Sequence, residues 1–228
     1  MRRWLPCLAA VLLAAACAKD DTLVRGEQDM ACVVDGRLLT DNGLTFIVTE
    51  EEPGGAGWRE WDRAVIVCDV LRQRSEKEFE IRLSEARRVL LKDAVEDGEL
   101  SEEELGDDPA DVVYGWVSGG YLNLLTQIIY DPASDRKHLI HLVFLGEDEN
   151  GLRFRLRHNA SGYAYGAPGV TPPLTLGRSY VSFPVTRFLP EGANAAGFTL
   201  TWKWHRTDAA GNLLPETREQ SRRGIIRR

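Results

Sequence analysis

Between residues 30 and 95 the chain alternates short apolar runs with turn residues. In "LTFIV" the pattern puts Leu44, Phe46 and Val48 on one face and Thr45, Ile47 and Thr49 on the other, the period of two expected of a half-buried strand. "EFEIRL" repeats it, with Phe79, Ile81 and Leu83 inward and Glu78, Glu80 and Arg82 outward. "ACVVDGRLLTDNG" is rich in β-branched residues and closes on Asn42-Gly43, a hairpin signal. "RAVIVCDVL" is apolar almost throughout, as a strand covered on both faces should be, and "RRVLL" reads as a fifth strand or a short helix. "EEEPGGAGWREWD" is a loop by its Pro and Gly content. Five short strands in about 65 residues predict a small closed barrel of the OB type.

A second patterned region runs from 112 to 207. "YGWVSGGYLNLLTQIIYD" reads as two strands around Gly119-Gly120, and "KHLIHLVFLG" as a strand that is nearly all apolar. "GLRFRLRHNASG" aligns Leu152, Phe154, Leu156 and His158 on one face, with Arg153, Arg155, Arg157 and Asn159 on the other. Val181, Phe183 and Val185 share a face of "SYVSFPVTRF", and Phe198, Leu200, Trp202 and Trp204 share one of "GFTLTWKWH". One-faced strands separated by Gly, Pro and Asn turns predict a β-sandwich. The fold class is therefore all-β, an OB-like barrel over 30–95 followed by a sandwich over 112–207. Between them "EDGELSEEELGDDPAD", residues 96–111, is dominated by acids and reads as a linker that buries no core. Residues 208–228 lack periodicity and end strongly basic, which predicts a disordered tail.

The start of the chain obeys a different logic. Arg2 and Arg3 precede an apolar run, Trp4 through Ala16, which ends in small residues, the layout of a secretory signal over 1–16. The run is short of the roughly 20 residues a spanning helix requires. Ala14-Ala15-Ala16 fits an ordinary cleavage site. The same residues followed by Cys17 resemble a lipobox, in which Cys17 becomes an acylated N-terminus, although Ala14 stands where Leu is usual. Multiple acyl chains on Cys17 would give stable attachment to a membrane. Residues 17–29 then form a tether. Lys19, Asp20 and Asp21 resemble the surface-export signal of lipoproteins in the Bacteroides group, and Asp21-Thr22-Leu23 resembles those bacteria's O-glycosylation site, with Thr22 as acceptor.

Composition adds limits. A 228-residue chain that is 43% hydrophobic has room for two small domains. The formal net charge is −7, and losing Arg2 and Arg3 with the signal leaves the mature chain near −9. An acidic exported protein is poorly suited to nucleic acid, whose phosphates demand Lys and Arg. After processing, Cys32 and Cys68 remain beside the lipidated Cys17. In an oxidising compartment the pair is a candidate disulfide; the alternative is two small buried thiols in strands.

Candidate chemistry is thin. His138 and His141, three apart, fall on opposite faces of a strand and cannot share a metal there. No Cys/His cluster has zinc spacing, and no nucleophile motif occurs. Carboxylates are dense only in 96–111, where a linker would not hold them in register for acid–base work. The expectation is no enzyme, no metal and no cofactor. Tyr163 and Tyr165, in the loop "SGYAYGAPG", are candidates for contact with a partner, and the Arg153, Arg155, Arg157 row could meet an acidic one.

"SGGYLNLLTQIIYD", "KHLIHLVF", "LRFRLRHNASG", "YVSFPVTRF" and "LTWKW" resemble, in order and spacing, the C-terminal β-sandwich of NigD-like proteins, a family of Bacteroides-group lipoproteins. The most specific segments are Gly120-Tyr121-Leu122-Asn123, Lys137-His138 and Leu156-Arg157-His158-Asn159-Ala160. "GLTFIVTE" and "DRAVIVCDVL" resemble the OB domain that precedes it, without the family's double-acid turn. The resemblance implies a lipid-anchored protein of the bacterial outer membrane, facing the cell surface, with a bacteriocin-immunity or envelope-accessory role and no catalytic residues. A protein or saccharide partner follows for a binding role; a structural or assembly subunit of an envelope complex is the alternative. His158 and Asn159 are read as structural, His158 bonding a strand-end backbone group and Asn159 capping the next turn.

Overall fold

The structure, a computed structural model, describes residues 22–167, 170 and 174–228. Cys17, Lys19, Asp20 and Asp21 lie outside the described residues; Thr22 is the first of them. The first lobe is built from β1 (Val24–Val34), β2 (Arg37–Thr40), β3 (Thr45–Glu51), β4 (Arg63–Gln73) and β5 (Glu78–Leu91). They pair in the order β3-β2-β1-β4-β5, and a parallel β3–β5 ladder closes the barrel. Phe46, Ile81 and Leu83 point into its core with Leu38, Ile66 and Cys68, as their alternation requires. The loop between β3 and β4 holds two short 3-10 turns, and through them Trp58 is fully buried as a plug of the same core.

β4 is apolar on both sides because both sides are covered. Ala64, Ile66 and Cys68 face the barrel, while Val65 joins Met30 and Val89 against Trp116 and Tyr180 of the second lobe. "EFEIRL" and "RRVLL" form one strand, β5, which runs from one lobe into the other: Glu78–Leu83 pairs with β3, Phe79–Arg88 with β4, and Val89–Leu91 pairs in parallel with the second lobe.

The second lobe comprises β6 (Val95–Glu96), α1 (Glu102–Leu105), β7 (Asp111–Ser118), β8 (Tyr121–Tyr130), β9 (Leu139–Asp148), β10 (Gly151–Asn159), β11 (Thr175–Pro184), β12 (Ala195–Thr207) and β13 (Leu213–Arg227). One sheet continues from the barrel as β5-β11-β8-β7; the other runs β13-β12-β10-β9-β6. Phe154, Phe183, Leu124, Leu142, Phe198, Trp202 and Trp204 fill the space between them.

Three segment boundaries differ from the sequence reading. The expected tether, 17–29, is strand from Val24 onward: β1 pairs with β4 from Val24↔Val70 through Asp29↔Ile66, and its alternation is too polar to announce itself. The expected tail, 208–228, contains the 15-residue strand β13, antiparallel to β12 from Ala195↔Arg227 to Thr207↔Leu213. Its aperiodic pattern has a cause: it is an edge strand, and only Ile226 is fully buried. The expected linker, 96–111, is part of the sandwich. It carries α1, buries Leu105 and Ala110, and lies across the outer face of the second sheet.

Candidate functional site

The acidic segment and the basic row predicted separately are partners. Ser101 caps α1 reciprocally with Glu104, its hydroxyl accepting from the Glu104 amide at 3.2 Å while its own amide donates to the Glu104 carboxylate at 2.9 Å. That bond to the Ser101 amide, followed by the Ser101 hydroxyl, holds the Glu104 carboxyl below its usual range. The short turn presents Glu102 to Arg157 at 2.8 Å, and Arg157 Nε donates to the Gly106 carbonyl at 2.6 Å. Asp107 takes Arg155 at 3.1 Å and Lys203 Nζ at 2.9 Å. Gly106 makes the crossing fit: its φ is +62°, and a Cβ there would lie 2.6 Å from both the Asn159 Cα and the His158 carbonyl oxygen.

His158 and Asn159 sit under this crossing. His158 is 2% exposed and its Nδ1 donates to the Pro109 carbonyl at 2.9 Å. A carbonyl only accepts, so in the neutral ring Nε2 is the acceptor, here from His138 Nδ1 at 3.0 Å. The two rings are near-parallel, 17° apart with centroids at 5.2 Å. Burial first, and then the neighbouring His138, push the His158 imidazole down to about 4. Asn159 Nδ2 donates to the carbonyls of Glu103 and Glu104 at 2.8 and 3.1 Å, and its Oδ1 accepts from the Ser161 amide at 2.9 Å. Asn159 thus ends α1 and starts the next turn at once.

Beside this junction lies an open concavity of about 600 Å³, lined by Leu100, Glu103, Glu104, Leu139, His141 and Asn159. His141 faces it from β9, opposite in direction to His138, and its Nε2 has no hydrogen-bond partner among the described residues. Burial, and then Lys92, lower its pKa. Leu139 adds an exposed apolar patch. The dish therefore offers carboxylate acceptors and an apolar wall over the His141 side chain. Among the described residues no three His, Cys, Asp or Glu side chains converge at metal-binding spacing.

The aromatic candidates divide. Tyr163 stacks under Arg136 at 4.3 Å, and Tyr165 packs on the sandwich core and against His205.

A second polar cluster, unforeseen in the sequence, is buried between the lobes. Arg63 is 0% exposed and its side chain pairs with Asp41 at 2.7 Å. It also donates to Ser182 Oγ at 3.0 Å and Asn123 Oδ1 at 3.1 Å, and stacks over Tyr121 at 4.1 Å. Tyr121 and Asn123, two apart on one face of β8, are the polar members of the Gly120–Asn123 motif, so that motif is the sandwich's grip on the barrel. The signal available was Arg63 itself, a charge beginning an otherwise apolar doubly covered strand.

Cys32 belongs to this cluster, its Sγ 3.1 Å from Arg63 Nη1 and 3.6 Å from the Tyr121 hydroxyl. The candidate disulfide is not formed; Cys32 and Cys68 are free thiols. Cys32 opposes Arg63 and Cys68 opposes Glu27. The two are therefore separated by about 16 Å of ladder, whereas a bridge needs Cα atoms within about 7 Å. Burial, and then the carboxylates Glu27, Asp29 and Asp69, push the Cys68 thiol up to about 12.

Solved structures share the whole two-lobed fold. A protein of unknown function from Bacteroides vulgatus superposes with a TM-score of 0.61 at 16% identity, covering 90% of each chain. A NigD-like immunity protein from Bacteroides caccae gives 0.53 at 18% identity, over 84% of this chain and 91% of that one. A candidate lipoprotein from Bacteroides fragilis gives 0.60 at 15%, over 87% and 97%. No curated protein matches the sequence. The model of the NigD-like C-terminal beta sandwich domain matches residues 93–210, taking in the acidic segment together with β7 to β12. By that match, which spans half of its length, the chain belongs to the NigD-like family.

Proposed function

We propose that the protein is a non-catalytic binding lipoprotein of the bacterial outer membrane, anchored through lipid on Cys17 and facing the cell surface, with a protective, immunity-like role. One observation carries the reading. β1 begins opposite Val70 and ends with Cys32 opposite Arg63, and Arg63 touches the sandwich. The chain thus enters the barrel at the pole remote from the sandwich, about 25 Å of strand away. From Cys17 to Leu23 the chain reaches about 20 Å at most. A lipid on Cys17 would hold the barrel against the membrane and turn the sandwich, with its open dish, outward. Lys19, Asp20 and Asp21 would then serve export, and Thr22, at the barrel's base, glycosylation.

The family motif's polar side chains are taken up by the fold: His158 is bonded at both nitrogens and Asn159 at both ends of its amide. What is left open is recognition. Glu103 and Glu104 beside Leu139 suit a protein segment or a saccharide with hydroxyl donors and an apolar face.

Protease treatment of intact cells tests display: the wild-type chain is expected to be cut, and a Cys17→Ala chain to leave the membrane fraction. Protection of the wild-type chain in intact cells would refute outward display. Sensitivity of a deletion strain to a neighbour's bacteriocin, rescued by the gene, tests protection; unchanged killing across producers would refute it.

A further inference from the structure

The second sheet ends in β13, and among the described residues β13 has a strand partner only on its β12 side. Beyond Pro215, where Tyr165 and Gly166 pack against the start of the strand, its other edge has no strand partner along about 40 Å of backbone, and such an edge presents unpaired N–H and C=O groups at every second residue. The strand and the residue after it carry Arg218, Arg222, Arg223, Arg227 and Arg228 against Glu216 and Glu219, in a chain whose net charge is −7. All five arginines are exposed, and none has a carboxylate partner among the described residues.

The same sheet's outer face behaves differently. Arg153, Arg155 and Arg157 have each found an acid of this chain: Asp148, Asp107 and Glu102. The acidic stretch that covers the β10 row stops short of β13. Next to the open edge, β7 of the opposite sheet is also an edge, and between the two lies a cleft of about 110 Å³ lined by Trp116, Val117, Phe198, Arg222, Gly224 and Ile225. Gly224 keeps this place thin, since a Cβ there would lie 2.5 Å from the Phe198 ring. The cleft is the size of one small apolar side chain.

We propose that the open edge of β13 is a docking site for an acidic, extended protein segment, which adds to the sheet as a sixth strand with its carboxylates on Arg218, Arg222, Arg223 and Arg227 and one apolar side chain in the cleft beside β7. Strand addition supplies main-chain bonds, and the side chains supply selectivity. Charge complementarity names the occupant. A second copy would set arginine against arginine on paired edges, and like charges opposed across a ladder repel. The sheet already shows what it accepts, because Glu102 and Asp107 engage its neighbouring basic row. The proposal names the partner chemistry of the binding role and rests on that reading.

The test uses the chain from residue 22 onward and a fluorescent ten-residue peptide in which adjacent Glu pairs are separated by Val and Thr, so that carboxylates reach the arginines on both faces of β13, titrated by polarisation. The expected result is saturable binding that weakens steeply with salt. It should fall about tenfold or more in an Arg222→Glu, Arg223→Glu double variant with an unchanged melting temperature. A peptide of the same charge with two internal prolines should not bind, since proline cannot complete the ladder. No binding of the acidic peptide, equal binding of the proline peptide, or indifference to the double reversal would each overturn the proposal. So would binding of the chain to anionic phospholipid vesicles with no peptide binding, which would make the edge a membrane contact. Failure here leaves the intact-cell protease result standing, and failure of surface display leaves the peptide titration readable, so the two are separable.

Discussion

Acid should loosen the sandwich through His158. Its ring is 2% exposed, donates to Pro109 and accepts from His138. With a pKa near 4 in the folded chain and about 6.5 unfolded, the folded state binds fewer protons between those values. Stability is therefore complete above pH 6.5 and falls as pH drops toward 4. The full penalty is about 3 kcal/mol, of which about 2 kcal/mol is felt by pH 5. A protonated His158 would donate from both nitrogens, forcing His138 Nδ1 to become an acceptor beside a buried charge. Urea unfolding followed by tryptophan fluorescence at pH 7.5 and 5.0 measures the drop in the wild type and in His158→Asn. Asparagine keeps a donor near Pro109 and has nothing to protonate. It should lose about 1–3 kcal/mol at neutral pH but show a shallower acid drop, by about 2 kcal/mol. His158→Ala, which leaves the Pro109 carbonyl unpaired, should cost more at pH 7.5 and lower the melting temperature by several degrees. Parallel pH profiles in the wild type and the Asn variant, or an unchanged melting temperature in the Ala variant, would refute the reasoning.

Arg63→Met should destabilise by about 3–5 kcal/mol, because it leaves Asp41 buried without its counter-charge; a loss under 1 kcal/mol in chemical denaturation would show that the junction tolerates an unpaired acid. The oxidised soluble chain from residue 22 should yield both thiols to a thiol reagent only on unfolding for Cys68, and reductant should leave its melting temperature unchanged; a drop with reductant would reveal a bridge. Deleting residues 211–228 removes β13 and uncovers Phe198 and Trp202, so the product should be insoluble or molten, and a soluble product with native melting would return these residues to the status of a tail. Gly106→Ala should displace the acidic segment by steric conflict with the backbone at His158 and Asn159, read as a loss of about 2 kcal/mol or more; native stability would mean that the crossing is loose.

Strand identity was legible where one face is buried and the other wet. Phe79, Ile81 and Leu83, or Phe198, Leu200, Trp202 and Trp204, announce both the strand and its inward side, and these side chains lie in the two cores. Legibility failed at the edges and at the junction. β13 keeps only Ile226 fully buried, so a period-two signal had nothing to rest on, and its arginines read as a tail. By composition the acidic run reads as unable to pack, because composition counts carboxylates without their partners. Arg155, Arg157 and Lys203 stand roughly 50 to 100 positions away in sequence, and only the sheet's register brings them to it. The Cys32–Cys68 pairing failed for a related reason: spacing along the chain says nothing of the offset between β1 and β4. The motif at Tyr121 and Asn123 was visible as a pattern, but its purpose depends on Arg63 from the other lobe.

The junction has a consequence for what the molecule can present. Two lobes joined by a flexible linker would swing freely, and a lipid at one end would then say little about the direction of the other. Here the expected linker is folded onto the sandwich, and the lobes are joined three ways. β5 is a member of both sheets, pairing with β4 and β3 in the barrel and with β11 in the sandwich. Met30, Val65 and Val89 pack against Trp116 and Tyr180, and the Arg63 cluster is buried between them. A hinge at this place would have to break a strand, expose an apolar cluster and separate a buried ion pair from its hydrogen bonds, at a cost of several kcal/mol for the ion pair alone. The two lobes therefore move as one body, and the direction of β1 at the barrel's base sets the direction in which the dish and the β13 edge point. Under the proposed attachment through Cys17, this rigidity would turn the site of attachment into an orientation.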